Sequence, residues 1–222
     1  MHQRIHVCVD FDGTITLEDS TKKLLTLYAD RAWTTVEDRW ESGLIDARKC
    51  LTEQIDLLNI TPEEYDRFAH SLRIDPAFLT FVKRCEKSGV GVTIVSDGLD
   101  RTIAAVLKKA GLDHLKFWSN KLEWRGSKWH VHFPGSREGC SSFSANCKCQ
   151  FAESADDTLQ VLIGDGRSDF CIAERCDLVF AKDALIHYCR TNSINHVPIS
   201  GFTDVNQLFS KMLTPNLAPS NQ

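Results

Sequence analysis

Two carboxylates close the apolar run of "HVCVDFDGTIT": Asp10 and Asp12, followed at once by Gly13 and Thr14. Side chains two apart on an extended chain face the same way, so both acids can reach one site, where one can attack an electrophile while the other handles protons. Gly13 lets the chain turn away, and Thr14 offers an anion a hydroxyl and a backbone N–H. Two further clusters share this character. Ser96, Asp97 and Gly98 follow "VGVTIV", and Gly164, Asp165, Gly166, Ser168 and Asp169 follow "LQVLI". Acids gathered this closely repel one another unless a cation sits among them, and oxygen ligands without a nearby Cys or His favour a hard ion such as Mg²⁺. A carboxylate nucleophile beside a metal and a proton-handling acid suits phosphoryl transfer.

These clusters need elements that bring them together. Short β-branched runs at 5–9, 90–95, 159–163 and 177–180 read as strands, with helical patterns between them. That alternation predicts an α/β fold, a doubly wound parallel sheet with helices on both faces, whose ligands lie beyond the carboxyl ends of the strands. From about Thr21 to Asp75 only helices are legible: "STKKLLTLYA", "TTVEDRWES", "ARKCLTEQIDLL" and "TPEEYDRFAHSL". They form a small helical insertion after the first strand, closed at Asp75-Pro76, where proline ends the helical reading. The expected organisation is a core of 1–16 and 76–214, a helical cap of 17–75 and a flexible tail of 215–222. "KFWSNKLEWRGSKWHVHF" reads as a hairpin turning at Arg125-Gly126, and "PGSREGCSSFSANCKC" as a long loop.

"DFDGTIT" (10–16), "VSDG" (95–98), a downstream lysine and "GDGRSD" (164–169) together resemble the four motifs of the haloacid dehalogenase superfamily, in its phosphatase branch. The resemblance runs through nearly the whole chain. It implies a Rossmann-like core in which Asp10 is the nucleophile, forming an aspartyl-phosphate, and Asp12 is the general acid and then base. Ser96, with the backbone at Asp97 and Gly98, would hold the phosphoryl oxygens. Asp165 would complete Mg²⁺ binding with Asp10 and the main-chain carbonyl of Asp12, while Asp169 supports the metal and the lysine. Lys148 is the expected lysine, with Lys121 and Lys128 as rivals in the hairpin. The cap resembles that of the phosphoserine phosphatase subgroup. For that subgroup's glutamate and cap arginine the chain offers Glu18 or Asp19, and Arg39 or Arg48. The Cys-rich loop around Lys148 is similar to that of the methionine-salvage phosphatases acting on 2-hydroxy-3-keto-5-methylthiopentenyl phosphate, whereas "DSTKKLL" also resembles phosphoethanolamine and phosphocholine phosphatases.

The remaining features narrow the function further. A net charge of −4 on 222 residues gives no reason to expect a nucleic-acid or anionic-membrane partner, so the ligand should be small, and the resemblance implies a small phosphorylated metabolite. No uncharged apolar run approaches the roughly 18 residues of a membrane span, and nine cysteines, an odd number, suit a reducing compartment. A cytoplasmic location is expected; the oligomeric state is left open. P-loop, G-x-S-x-G and H-E-x-x-H patterns are absent, which removes kinases of that type, serine hydrolases and zincins. Cys140, Cys147 and Cys149, with His130 and His132, offer zinc ligands but no standard knuckle spacing, so reduced thiols are the simpler expectation. Trp33 and Trp40 read as packing residues. The rival from another class is a non-catalytic metal-binding interaction module.

Overall fold

A computed structural model describes residues 4–137, 144–152 and 158–213. The first strand, β1 (Arg4–Val9), is followed by four helices: α1 (Ser20–Tyr28), α2 (Trp33–Glu41), α3 (Ala47–Asp56) and α4 (Pro62–Ser71). Asp19 and Asp46 cap α1 and α3 by accepting from Lys22 N and Lys49 N. Thr61 caps α4 in a reciprocal box with Glu64, so free backbone donors at these helix starts are satisfied locally. Pro76 opens a new helix rather than only ending the previous pattern: α5 (Pro76–Lys87) starts on it, with Asp75 as the cap.

The chain continues through β2 (Gly91–Leu99), α6 (Asp100–Lys109), β3 (Lys116–Arg125), β4 (Lys128–His132) and β5 (Thr158–Gly164). It closes with α7 (Phe170–Ala173), β6 (Leu178–Ala181), α8 (Asp183–Thr191), β7 (His196–Pro198) and α9 (Phe202–Leu213). The seven strands lie in the order β4-β3-β2-β1-β5-β6-β7, all parallel except the β3–β4 pair. The four expected strands are present; β2 runs on through Ser96 and Gly98, and β7, three residues long, was too short to announce itself by periodicity. The hairpin turns one residue later than expected, on Gly126 and Ser127, both at positive φ as a two-residue turn of matching twist requires.

Register decides where the polar clusters meet. Val9 is level with Ile94 of β2 and with Ile163 of β5. The three clusters therefore begin within a residue or two of one another, on the middle strands, where chain order reverses. Beneath them, Val7, Val9, Ile94, Val161 and Ile163 are buried, and Phe78, Phe81, Phe202 and Phe209 seal α5 to α9.

The helical insertion is tied to the sheet on one side. Arg101 of α6 donates from Nε and Nη2 to the two carboxylate oxygens of Asp66 in α4, both at 2.9 Å. Tyr65 and Thr102 share a hydrogen bond at 2.6 Å, and Trp129 of β4 donates to Ile60 O at 2.8 Å. The Arg101 guanidinium also lies over the rings of Tyr65 and Trp129. Among the described residues, no helix is long and apolar enough to cross a membrane.

Candidate active site

The strand ends at Val9, so Asp10 and Asp12 are brought together not by strand alternation but by the tight turn beyond it. Ile15 N and Thr16 N both donate to Phe11 O, which coils 11–16 into a helical turn with Phe11 fully buried beneath. Gly13 sits at φ +70°, and a Cβ there would come within 2.3 Å of an Asp165 carboxylate oxygen. Only glycine allows that approach. Asp10 and Asp12 both line a cavity of about 240 Å³, together with Ser96, Asp97, Gly98, Asp165 and Ser168.

At the cavity floor Asp10 is 4% exposed and Lys148 is 1% exposed. Lys148 stands on a 3-10 turn, Lys148–Phe151, and donates from Nζ to Asp10 Oδ1 at 2.6 Å and to Asp169 Oδ1 at 2.7 Å. Burial alone would favour loss of its proton, but the facing carboxylates of Asp10 and Asp169 outweigh that and hold it charged. The other oxygen of Asp169 accepts from Asp165 N and Gly166 N. Lys121 and Lys128 lie in the hairpin, away from this cluster: β3 and β4 carry them, and Lys128 lines a separate pocket against the cap.

Carboxylate oxygens of Asp10, Asp165 and Asp169 lie within 4.8 Å of one another. Burial, then the charges of Asp10 and Asp169, push the Asp165 carboxyl up to about 9, while burial outweighs the opposing charge of Lys148 to raise Asp97 to about 6. Three acids face one ammonium, and a divalent cation would balance what remains. The donor set is all oxygen, so the residues fit a hard cation. Asp10 and Asp165 line the cavity and so face a cation there, with Asp169 set behind them against Lys148.

Asp12 occupies another part of the wall. Its Oδ1 accepts from Ser20 N at 2.9 Å and from the Ser20 hydroxyl. Burial first, and then the charge of Asp19, raise its carboxyl to about 8, so it carries a proton at neutral pH in the metal-free chain. Gly98 is there because nothing larger fits: a Cβ would lie 2.4 Å from Asp12 Oδ2. Gly98 N donates to Ser96 Oγ at 2.9 Å, which commits that N–H within the protein and leaves the Ser96 proton free to turn to a ligand. The Asp97 carboxylate has a separate task beside the backbone role expected of this residue. It accepts from Ala145 N and Asn146 N, while Asn146 Nδ2 donates to Ser96 O, so the loop carrying Lys148 is pinned to the end of β2.

Thr14 does not join this group: it is buried, its N–H goes to Phe11 O, and it is absent from the cavity lining. Glu18 pairs with Lys23, whereas Asp19 lines the cavity. Arg39 pairs with Glu53 and Arg48 with Asp46, and neither reaches the cavity. Trp33 is buried, but Trp40 lines the cavity, with the Arg167 guanidinium 5.2 Å from its ring centre. Cys147 and Cys149 pack with Cys171, His132 pairs with Glu123, and His130 contacts Arg125 O, so these four do not converge as ligands; Cys140 lies outside the described residues. Sequence reasoning missed Ser20, Glu37, Gln54 and Arg167. Arg167 sits inside "GDGRSD", but the others occupy ordinary helix positions that only the fold brings to the site, Glu37 and Gln54 in the cavity lining and Ser20 against Asp12.

Residues 7–174 match the family described as haloacid dehalogenase-like hydrolase. A curated protein of Exiguobacterium sp. strain AT1b, named 2-hydroxy-3-keto-5-methylthiopentenyl-1-phosphate phosphatase, is 30% identical over 207 residues, covering 90% of this chain and 94% of its own. A protein of the same name from Geobacillus kaustophilus is 25% identical, covering 96% and 98%. In shape the chain is similar to a phosphoserine phosphatase captured as a phospho-aspartyl intermediate analogue, with TM-score 0.68 and 17% identity over 93% of this chain and 99% of that one.

Proposed function

The chain belongs to the haloacid dehalogenase-like hydrolase family, as a phosphatase, and from that premise we propose that it hydrolyses a small phosphomonoester with Mg²⁺, through a phosphoryl group carried on Asp10. The observation that carries this reading is the division of labour among buried acids. Asp10 accepts from the Lys148 ammonium at 2.6 Å, while burial raises the carboxyl of Asp12, across the same cavity, to about 8. One acid set against an ammonium and a second whose burial favours its proton is the arrangement that nucleophile and general acid require.

Asp10 Oδ1 is taken by Lys148, so the other carboxylate oxygen is the one that attacks phosphorus. As the new O–P bond forms, the ester O–P bond breaks and the leaving alkoxide takes the Asp12 proton. Asp12, now a carboxylate, then removes a proton from water, whose oxygen attacks the phosphoryl group; the Asp10–P bond breaks and inorganic phosphate leaves. Ser96 donates to a phosphoryl oxygen, its own acceptor position being filled by Gly98. Asp10, Asp165 and the main-chain carbonyl of Asp12 would hold Mg²⁺, which when bound neutralises charge on the phosphoryl oxygens. Asp169 positions Lys148 and the 165–166 backbone.

For substrate, the full-length similarity to two proteins named as 2-hydroxy-3-keto-5-methylthiopentenyl-1-phosphate phosphatases supports that phosphoester or a close analogue. Phosphoserine has less support, because neither Arg39 nor Arg48 faces the cavity to meet a carboxylate. The test is phosphate release, with Mg²⁺, from the methylthiopentenyl phosphate and a panel of small phosphoesters. Turnover that disappears in Asp10→Asn, with the fold intact by circular dichroism, is the expected result. Substantial activity remaining in that variant sinks the mechanism.

A further inference from the structure

The cavity has a far wall that the phosphoryl chemistry leaves unused. It is built by α2 and α3, which contribute Glu37, Trp40, Leu51 and Gln54. Gln54 is 3% exposed, and its Nε2 donates to Glu37 Oε2 at 2.7 Å. A nearly buried amide thus fixes a carboxylate at the edge of the cavity. The Cys50 thiol also contacts Oε2, and among the described residues Oε1 has no hydrogen-bond partner. Asp19 lines the same side, and burial, opposed by the Gln54 bond and aided by Asp19, holds Glu37 above the ordinary carboxylate value.

The cations near these charges are Lys22, which opposes the rise at Glu37 but does not line the cavity, and Arg167. Every Lys and Arg of the chain lies among the described residues, and Arg167 is the one that lines the cavity. Its guanidinium is spread over the Trp40 ring and reaches Trp40 O at 3.5 Å. Lys148 is committed to Asp10 and Asp169 at the floor. A ligand whose phosphoryl end sits at Asp10 therefore points its other end toward fixed acceptors, which reward a hydrogen-bond donor and repel a second anion.

We propose that Glu37, positioned by Gln54, determines specificity at this wall: it accepts a hydrogen bond from a hydroxyl or amino group of the substrate and rejects phosphoesters whose far end carries a carboxylate. This rests on the phosphomonoesterase reading of the same cavity. The test uses two probes that differ by one carboxylate, phosphoethanolamine and phosphoserine, titrated calorimetrically with Mg²⁺ into Asp10→Asn protein, which binds without turning over. Phosphoethanolamine is expected to bind about tenfold tighter or better, a difference of about 1.4 kcal/mol. Adding Glu37→Gln should shrink that ratio to about threefold or less, chiefly by improving phosphoserine, and Gln54→Leu should shrink it by releasing Glu37.

Equal affinities in the Glu37 protein, a ratio that Glu37→Gln leaves unchanged, or binding of neither probe overturns the proposal. Turnover is followed separately on Asp10 protein with the same esters and p-nitrophenyl phosphate. No hydrolysis of any ester alongside an intact, Glu37-dependent binding ratio refutes the phosphatase reading and upholds the selectivity of the wall. Hydrolysis with no Glu37-dependent discrimination upholds the phosphatase reading and refutes this one.

Discussion

Replacing Lys148 by Met removes the one ammonium between Asp10 and Asp169, keeps most of the unbranched side chain, and leaves two nearly inaccessible carboxylates facing each other. Breaking a buried pair by removing one partner costs about 3–5 kcal/mol, because the remaining charge stays desolvated. In a chain of this length each kcal/mol moves the melting temperature by about 2–4 °C, so the metal-free variant should melt about 6–20 °C below the parent. The deficit should depend on pH. A proton can replace the lost ammonium on Asp169, whose carboxyl burial already raises to about 6, so the gap should be widest near pH 8 and narrow toward pH 5. Mg²⁺ at about 100 times its dissociation constant stabilises by about 2.7 kcal/mol, and it should raise the melting temperature of the variant more than that of the parent, since it then faces the acids alone. Differential scanning calorimetry at pH 5 and pH 8, with and without Mg²⁺, reads all three effects, and phosphate release should be lost. A variant melting within about 1 °C of the parent at pH 8 without metal, or showing the same deficit at both pH values, refutes the idea that Lys148 is the counterion of this cluster.

The metal-free parent should itself lose stability as pH rises from about 4 to 9. Asp12 and Asp165 hold their protons to about 8 and about 9 when folded but release them near 4 when unfolded, so the folded state is favoured less by about 1.4 kcal/mol per pH unit for each proton retained. Mg²⁺ displaces the Asp165 proton, so thermal shift on adding the ion should grow across the same range. Asp12→Asn should slow hydrolysis of alkyl phosphates about 10²–10⁴-fold, yet slow p-nitrophenyl phosphate much less, because that leaving group needs no proton; equal losses would count against Asp12 as the acid. Gly98→Ala forces Asp12 aside from a 2.4 Å approach and should lower kcat by about 10²-fold while the chain still folds, measured as turnover against circular dichroism.

Much of this site was legible because its chemistry lies at strand ends. Asp10, Ser96 and Asp165 follow runs whose periodicity marks them as buried strands, and parallel pairing does the rest, since level registers deliver their ends to one place. Glu37 and Gln54 gave no such signal. They lie 17 residues apart on two amphipathic helices, and which faces of those helices turn toward the sheet depends on packing that no local pattern encodes. Thr14 shows the opposite error. Its residue type suits an anion, but the turn that positions Asp12 consumes its N–H and directs it inward. Asp97 lines the same cavity, but its side chain braces a loop about fifty residues downstream, which no local pattern announces.

The asymmetric attachment of the cap bears on how product leaves. On the α4 side, an exit would have to break the two-point Arg101–Asp66 pair, the Tyr65–Thr102 bond and the anchoring of Trp129 together. On the α2 side, among the described residues, the crossing is the stacking of Arg167 on Trp40 and a single bond of 3.5 Å. Swinging α2 outward on its own would keep the α4 anchors but give up that stacking together with the Glu37–Gln54 and Arg39–Glu53 bonds to α3. The two sides of the cap thus differ in what holds them: α4 is fastened to the sheet, α2 chiefly to its neighbouring helix.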